Sequence, residues 1–280
     1  MRLRRAALGA VLALSALTVA GCVPGRGAAP SAGASAGSSA PASGVPTAGV
    51  PAASPSAASP SAAAAPSPAA GTAPAAGAFD SSRYSTTDPM SLWVVVDKRR
   101  PMDPPDFEAP DLVMPAGIPN VNGQPVRQPA ADAVQQMHAA AQADGVGLII
   151  QSAYRSYATQ VRVYNNYVAG YGQAQADTFS ARPGYSEHQT GLVIDFDDGS
   201  GCALDQCFAN TPGGQWLAQH AWEYGWILRY PEDDQAVTGY VWEPWHYRYV
   251  GPELAAEMHR TGTLTLEEFF GLGPAPDYAS

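Results

Sequence analysis

Apolar positions along this chain change their spacing several times, and each change predicts an element. Over residues 130–143, Val134, Met137, His138 and Ala141 fall at helical intervals on one face, and Gly145 offers a stop. Val161, Tyr164 and Val168 repeat that spacing in a second helix ending near Gly170, and residues 215–224 form a third, ended by Gly225. Short apolar runs at 91–97, 146–150, 192–196, 226–229 and 241–250 read as strands, the last interrupted by Pro244. Prolines 101, 104, 105 and 110 mark a loop between the first strand and the first helix. Two helices, 252–259 and 266–270, close the chain, with Thr265 and Glu268 placed as a capping box for the second. Strands and helices mixed without a strict βαβ rhythm predict an α+β fold, a mainly antiparallel sheet flanked by helices.

None of this periodicity reaches the N-terminal part of the chain. Arg2, Arg4 and Arg5 precede an apolar run of about 15 residues, short of the ~20 that cross a bilayer, so residues 1–22 read as an export signal. Leu17-Thr18-Val19-Ala20-Gly21-Cys22 resembles the bacterial lipoprotein signal, which implies that Cys22 is lipidated. Residues 23–78 are Ala, Pro, Ser and Gly with almost no large apolar side chain and a single charge, Arg26. Such a stretch buries too little surface to offset its ordering entropy and reads as a disordered tether. The expected location is therefore outside the cytoplasm, lipid-anchored to the outer face of the membrane.

Residues 79–280 are enough for one domain with a real core. All 25 acidic residues lie there against 11 of the 15 basic ones, Arg2, Arg4, Arg5 and Arg26 being outside it, so the domain carries a net charge of −14. That balance argues against nucleic acid as a partner. With Cys22 taken by lipid, Cys202 and Cys207 remain as an even pair, and an exported protein is expected to join them as a local disulfide.

Chemistry concentrates in two stretches, 186–195 and 243–246, which hold two of the chain's five histidines. Asp195 interrupts the apolar run Leu192-Val193-Ile194-Asp195-Phe196, and a buried carboxylate costs several kcal/mol unless it is paired or binds a metal. His188 precedes it across Gly191, where a tight turn would bring imidazole and carboxylate together. Asp197 shares a strand face with Asp195, so spacing alone does not choose between them. His246 supplies a third ligand and Glu243 a general base, provided that Pro244 distorts the strand and lets the two converge. Three ligands, an open position and a carboxylate are what a hydrolytic zinc site needs. His138, His220 and His259 read as structural.

Ser152-Ala153-Tyr154-Arg155-Ser156 with Gln160, the 186–195 motif, Trp226-Ile227-Leu228-Arg229-Tyr230-Pro231 and Glu243-Pro244-Trp245-His246 together resemble the VanY-type D-alanyl-D-alanine carboxypeptidases of the LAS group of zinc peptidases. The resemblance spans roughly residues 91–251. It implies a single catalytic domain with one Zn2+, held by His188, Asp195 and His246, and Glu243 as the base. It also implies Arg155 as the cation facing the substrate, at the oxyanion or the terminal carboxylate, and Gln160, Ser186, Tyr230 and Trp245 as pocket residues. The implied substrate is a peptidoglycan stem peptide cut by a monomeric enzyme. L,D-carboxypeptidase or dipeptidase activity is the alternative within the same chemistry, and a non-hydrolysing wall-binding module the alternative outside it. Val193, Ala153 and Tyr247 depart from the family pattern, but none removes a side chain that the mechanism requires.

Overall fold

The computed structural model describes residues 79–279; the expected export signal, Cys22 and the tether, 1–22 and 23–78, lie outside the described residues. A two-stranded ladder, β1 (Leu112–Val113) with β2 (Val126–Arg127), leads directly into helix α1 (Gln128–Ala143). The strands β3 (Ile149–Ser152), β4 (Val193–Asp197), β5 (Trp226–Leu228) and β6 (His246–Tyr249) form an antiparallel sheet in the order β3-β4-β6-β5. Around it lie α2 (Tyr157–Tyr171), α3 (Gln173–Ala176), α4 (Pro212–His220), α5 (Gln235–Thr238), α6 (Pro252–Thr261) and α7 (Leu266–Phe269). This is the expected α+β arrangement. Among the described residues, no helix is long and apolar enough to cross a membrane.

The two faces of the sheet have opposite chemistry. Successive side chains on a strand alternate, and residues directly opposite in an antiparallel pair share a face. On one face Ile150, Ile194, Phe196, Trp226 and Tyr247 are buried against Val134, Met137 and Ala141 of α1. Each such side chain contributes roughly 1.5–3 kcal/mol by leaving water. On the other face Asp195 stands opposite His246, and Val193 opposite Arg248. The apolar face anchors the sheet, and the polar face is free to carry chemistry.

Three of the expected strands are corrected. Residues 91–93 form a turn, 94–96 have no regular structure and Asp97 makes only an isolated bridge to Arg100, although the alternation is real: Trp93 and Val95 pack with Val250, Leu254 and Leu266, while Val94 and Val96 pack with Met102. Their carbonyls are met by a side chain instead of a strand, since Arg248 donates to Leu92 O at 3.0 Å and to Val94 O at 2.8 Å. The run 241–250 is strand only from His246 onward, because residues 243–246 make a turn closed by the His246 N–H donating to Glu243 O at 3.0 Å. The expected strand at 146–150 is displaced to β3, whose register shifts between Ile150 and Ser152. Cys202 and Cys207 are joined as a disulfide.

Candidate active site

Each of the two motif segments is a tight turn feeding a strand of the same sheet. Residues Glu187–Thr190 form a single 3-10 turn, which Gly191 ends in the left-handed region at φ 68° before β4 begins. That turn lays His188 back over the strand it precedes. On the neighbouring strand, the 243–246 turn sets Glu243 beside His246 at the head of β6. The turn is held to the end of β5, with Glu243 N–H donating to Tyr230 O and Arg229 N–H to His246 O, both at 3.1 Å. Convergence of Glu243 and His246 therefore comes from a turn ahead of the strand rather than from a bend within it.

His188, Asp195 and His246 are all buried, and each offers one ligand atom within 4.8 Å of the others. Asp195 Oδ2 lies 3.3 Å from His188 Nε2, and Asp195 Oδ1 lies 3.0 Å from His246 Nδ1. The two imidazoles meet nearly at right angles, 86°, with centroids 5.1 Å apart. Despite its short distance to His246, Asp195 Oδ1 is buried without a hydrogen-bond partner among the described residues. An unsatisfied buried carboxylate oxygen costs more than an ordinary polar atom, and a cation between the three residues would satisfy it. The second nitrogens fix the roles of the first. His188 Nδ1 is 2.7 Å from Ala153 O, an acceptor only, so it carries the proton and leaves the Nε2 lone pair facing Asp195. The donor set fits a zinc-type ion: two imidazoles and one carboxylate. Asp197, further along β4 and paired with Ile149, is outside the cluster, which resolves the choice between the two aspartates.

The electrostatics agree with a site short of positive charge. Burial pushes the Glu243 carboxyl up, and Asp195 adds to this while His246 and Arg155 oppose it, leaving it at about 8. Burial disfavours charge on the His246 imidazole, yet Asp195, Glu187 and Glu243 outweigh it and push it up to about 9. Burial likewise pushes Asp195 up, but His188 and His246 hold it well below the usual carboxylate range. Glu243 Oε2 stands 3.5 Å from His246 Nδ1, on the edge of the ligand cluster and within the same cavity.

That cavity receives most of the residues expected there. Arg155, Ser186, Tyr230 and Trp245 line it together with His188, Asp195, Glu243 and His246. Arg155 has no salt-bridge partner among the described residues; it donates to Gln160 Oε1 at 2.9 Å and Ser152 Oγ at 3.1 Å. Its full charge is thus aimed at whatever enters. Gln160 corrects the expectation. It is fully buried and does not line the cavity, because its Nε2 donates to Ala181 O at 2.6 Å and its Oε1 braces Arg155 from behind. Tyr230 packs its ring on His246 with centroids 4.7 Å apart.

Sequence reasoning missed the apolar wall of the cavity, formed by Val163, Tyr167, Phe179, Leu204 and Val241. It also missed Glu187, whose side chain is fully buried behind His246 and paired with Arg229 and Arg248. The available signal was the alternation of β6, since Arg248 lies two residues beyond His246 and so on the same face, inside an otherwise apolar run.

Similarity to known proteins agrees with this geometry. The family model described as VanY, D-alanyl-D-alanine carboxypeptidase, matches residues 123–252, which include both motif segments and the whole four-stranded sheet. YodJ of Bacillus subtilis (strain 168) is 38% identical over 188 residues, 65% of this chain and 68% of YodJ. The structure of the LdcB LD-carboxypeptidase superposes with a TM-score of 0.61 at 37% identity, over 65% of this chain and 87% of that one. A VanY D,D-pentapeptidase of a VanB-type resistance cassette, solved in complex with Zn(II), gives a TM-score of 0.54 at 32% identity, over 64% of this chain and 98% of that one. With the motifs, the fold and the relatives in agreement, this chain belongs to the VanY-type D-alanyl-D-alanine carboxypeptidase family.

Proposed function

We propose that this protein is a zinc-dependent carboxypeptidase that removes the terminal D-alanine of peptidoglycan stem peptides. The observation that carries the proposal is the buried, unpartnered Asp195 Oδ1 facing His246 Nδ1 at 3.0 Å, with His188 on the other oxygen of the same carboxylate. His188, Asp195 and His246 would hold the ion, which supplies Lewis acidity toward the scissile carbonyl and acidifies water. Glu243, at the edge of the ligand cluster, takes the proton of the attacking water and returns it to the leaving amine. Arg155, in no salt bridge among the described residues, offers its guanidinium to negative charge on the substrate, and Gln160 and Ser152 keep it in place. Ser186, Tyr230 and Trp245 shape the pocket around the peptide end.

The likeness to LdcB favours a second reading, L,D-carboxypeptidase action on a shorter stem. Incubating the purified protein with defined tri-, tetra- and pentapeptide stems decides between them by product mass. Loss of one D-alanine from the pentapeptide is the expected result. Loss from the tetrapeptide alone would replace it with the L,D reading, and no product from any stem would overturn both.

Residues 1–78 enter the same proposal through their composition alone: a lipid on Cys22 and a tether over 23–78 would hold the domain at the outer face of the membrane. Fatty-acid labelling of the full chain, lost in Cys22→Ala, is the expected result; equal labelling of the two would remove this part.

A further inference from the structure

Behind the metal-site residues, on the polar face of the sheet, lie four charged side chains that are entirely buried: Glu187, Arg229, Arg248 and Glu267. Arg229 binds Glu267 of α7 with both terminal nitrogens, at 2.9 and 2.7 Å, and donates from Nε to Glu187 Oε1 at 2.9 Å. Arg248 donates to the same Glu187 Oε1 at 3.0 Å and spends its remaining nitrogens on the carbonyls of Leu92, Val94 and Tyr249. Both guanidiniums thus converge on one oxygen of Glu187. Among the described residues the other oxygen, Oε2, has no hydrogen-bond partner; it faces His246 Nε2 at 3.7 Å, and that nitrogen also has none.

We infer that Glu187 is a positioning residue for His246. It accepts the Nε2 proton, so that Nδ1 is the nitrogen presented to a metal, and Arg229 and Arg248 hold Glu187 where it can do so. The inference rests on the metal-site reading proposed above. Its argument is one of satisfaction. A His that ligates through Nδ1 keeps its proton on Nε2, and here that N–H lies in the protein interior with Glu187 Oε2 as the facing acceptor. Buried ion networks do not by themselves favour the folded state over apolar side chains of similar volume. An apolar side chain at position 187, however, would leave Nε2 with nothing to bond. The two imidazoles accordingly have different neighbours, His188 bonded to the neutral carbonyl of Ala153 and His246 faced by a carboxylate. A carboxylate behind a ligand histidine orients the ring and raises its basicity, and loss of such a partner typically lowers metal affinity about 10–100-fold. Sequence position alone would not suggest the role, because Glu187 neighbours one ligand along the chain and serves the other across the sheet.

The test compares zinc affinity, by competition with a chromophoric chelator, in the full chain and in Glu187→Gln and Glu267→Gln. Each variant removes one charge from the same buried network, but only Glu187 faces His246. A carboxylate accepts on both sides, whereas an amide accepts on one and donates on the other, so Glu187→Gln sets a donor against either the guanidiniums or the imidazole. Expected is a fall of about 10–100-fold in zinc affinity for Glu187→Gln and a change within about threefold for Glu267→Gln. Equal loss in the two, or wild-type affinity in Glu187→Gln, overturns the inference and leaves the zinc site standing. A wild-type protein that binds no zinc overturns the zinc site itself and the inference with it. Should Glu187→Gln fail to fold, the zinc-loaded wild type still decides through long-range 1H–15N spectra of the histidine rings. A protonated Nε2 and metal-shifted Nδ1 on His246 are expected, and zinc on Nε2 refutes the assignment.

Discussion

Asp195 and His246 stand directly opposite each other in the β4–β6 ladder, and their side chains approach to 3.0 Å on the same face of the sheet. Strand pairing thus delivers two of the proposed ligands at once, and the third, His188, is folded back onto the strand by the turn before it. Because Asp195 bridges both imidazoles, Asp195→Ala should abolish zinc retention on dialysis and lower kcat/KM by at least about 10³-fold, since metal chemistry and ligand geometry are lost together. The fold should persist, since the apolar face of β4 is untouched. Metal analysis of the dialysed variant, with far-UV circular dichroism as the check on folding, measures this. Zinc held at wild-type stoichiometry would count against the ligand set.

In the proposed mechanism Glu243 serves the proton transfer and not the metal. Glu243→Gln should keep zinc and lose about 10²–10⁴-fold in kcat, the span typical of a lost general base. It should also change the pH dependence of stability. In the metal-free protein the carboxyl is raised to about 8, chiefly by burial, so the native state holds a proton that the unfolded chain releases near the ordinary value. The stability it contributes is therefore complete below about 4.5 and lost as pH rises through about 8. At pH 9 metal-free Glu243→Gln should be more stable than metal-free wild type, by something on the order of 2 kcal/mol, or about 4–8 °C in Tm. Thermal melts at pH 5 and pH 9 give the sign, and a gain at pH 5 as large as at pH 9 would contradict it.

Arg155 depends on a residue that never touches the cavity. Gln160 Oε1 and Ser152 Oγ fix its guanidinium, and Gln160 is itself fixed by the Ala181 carbonyl. Arg155→Ala should cost about 10²–10³-fold in kcat/KM, comparable to losing a charged group that stabilises developing negative charge. Gln160→Ala should cost less, on the order of tenfold, because the guanidinium remains but loses one of its two side-chain braces. Zinc content should be unchanged in both. Steady-state kinetics on a stem peptide provide the comparison, and a larger loss in Gln160→Ala than in Arg155→Ala would reverse the order of action argued for the pair.

What could be read from the chain, and what could not, follows from how local each cause is. Helix α1, helix α2 and strand β4 were legible because their apolar spacing is a property of consecutive residues. His188 and Asp195 were legible because a buried carboxylate and a glycine lie within one short segment. Residues 91–97 were misread for the opposite reason. Their alternation is that of a strand, but the carbonyls of Leu92 and Val94 are met by Arg248, more than 150 residues away in sequence. Glu187 was missed on the same ground, because its buried partners Arg229 and Arg248 lie 42 and 61 residues further on. The family resemblance implies a pocket role for Gln160, and only its bonds to Ala181 O and Arg155 show that it stands behind that side chain.

Gly191 is where the geometry of the site is most exposed to a single methyl group. It sits between the 3-10 turn bearing His188 and strand β4 bearing Asp195, at a positive φ of 68°. A Cβ there would come within 2.8 Å of Leu112 Cδ2 and 2.9 Å of Arg127 Cγ, while the backbone is pinned by the Arg127 N–H donating to Gly191 O at 2.8 Å. Left-handed backbone costs an L-residue roughly 1–2 kcal/mol, and overpacking typically adds about 1–3 kcal/mol. Gly191→Ala should therefore destabilise the domain by something on the order of 2–4 kcal/mol. Both close atoms belong to side chains, so Leu112 and Arg127 can give way in part; the positive φ is relieved only by movement of the turn, which carries His188 away from Asp195, so zinc affinity should fall along with stability. Chemical denaturation with zinc removed, alongside chelator competition with zinc present, measures the two effects. A variant destabilised to this extent that still binds zinc like wild type would show that the turn and the ligand are not mechanically linked.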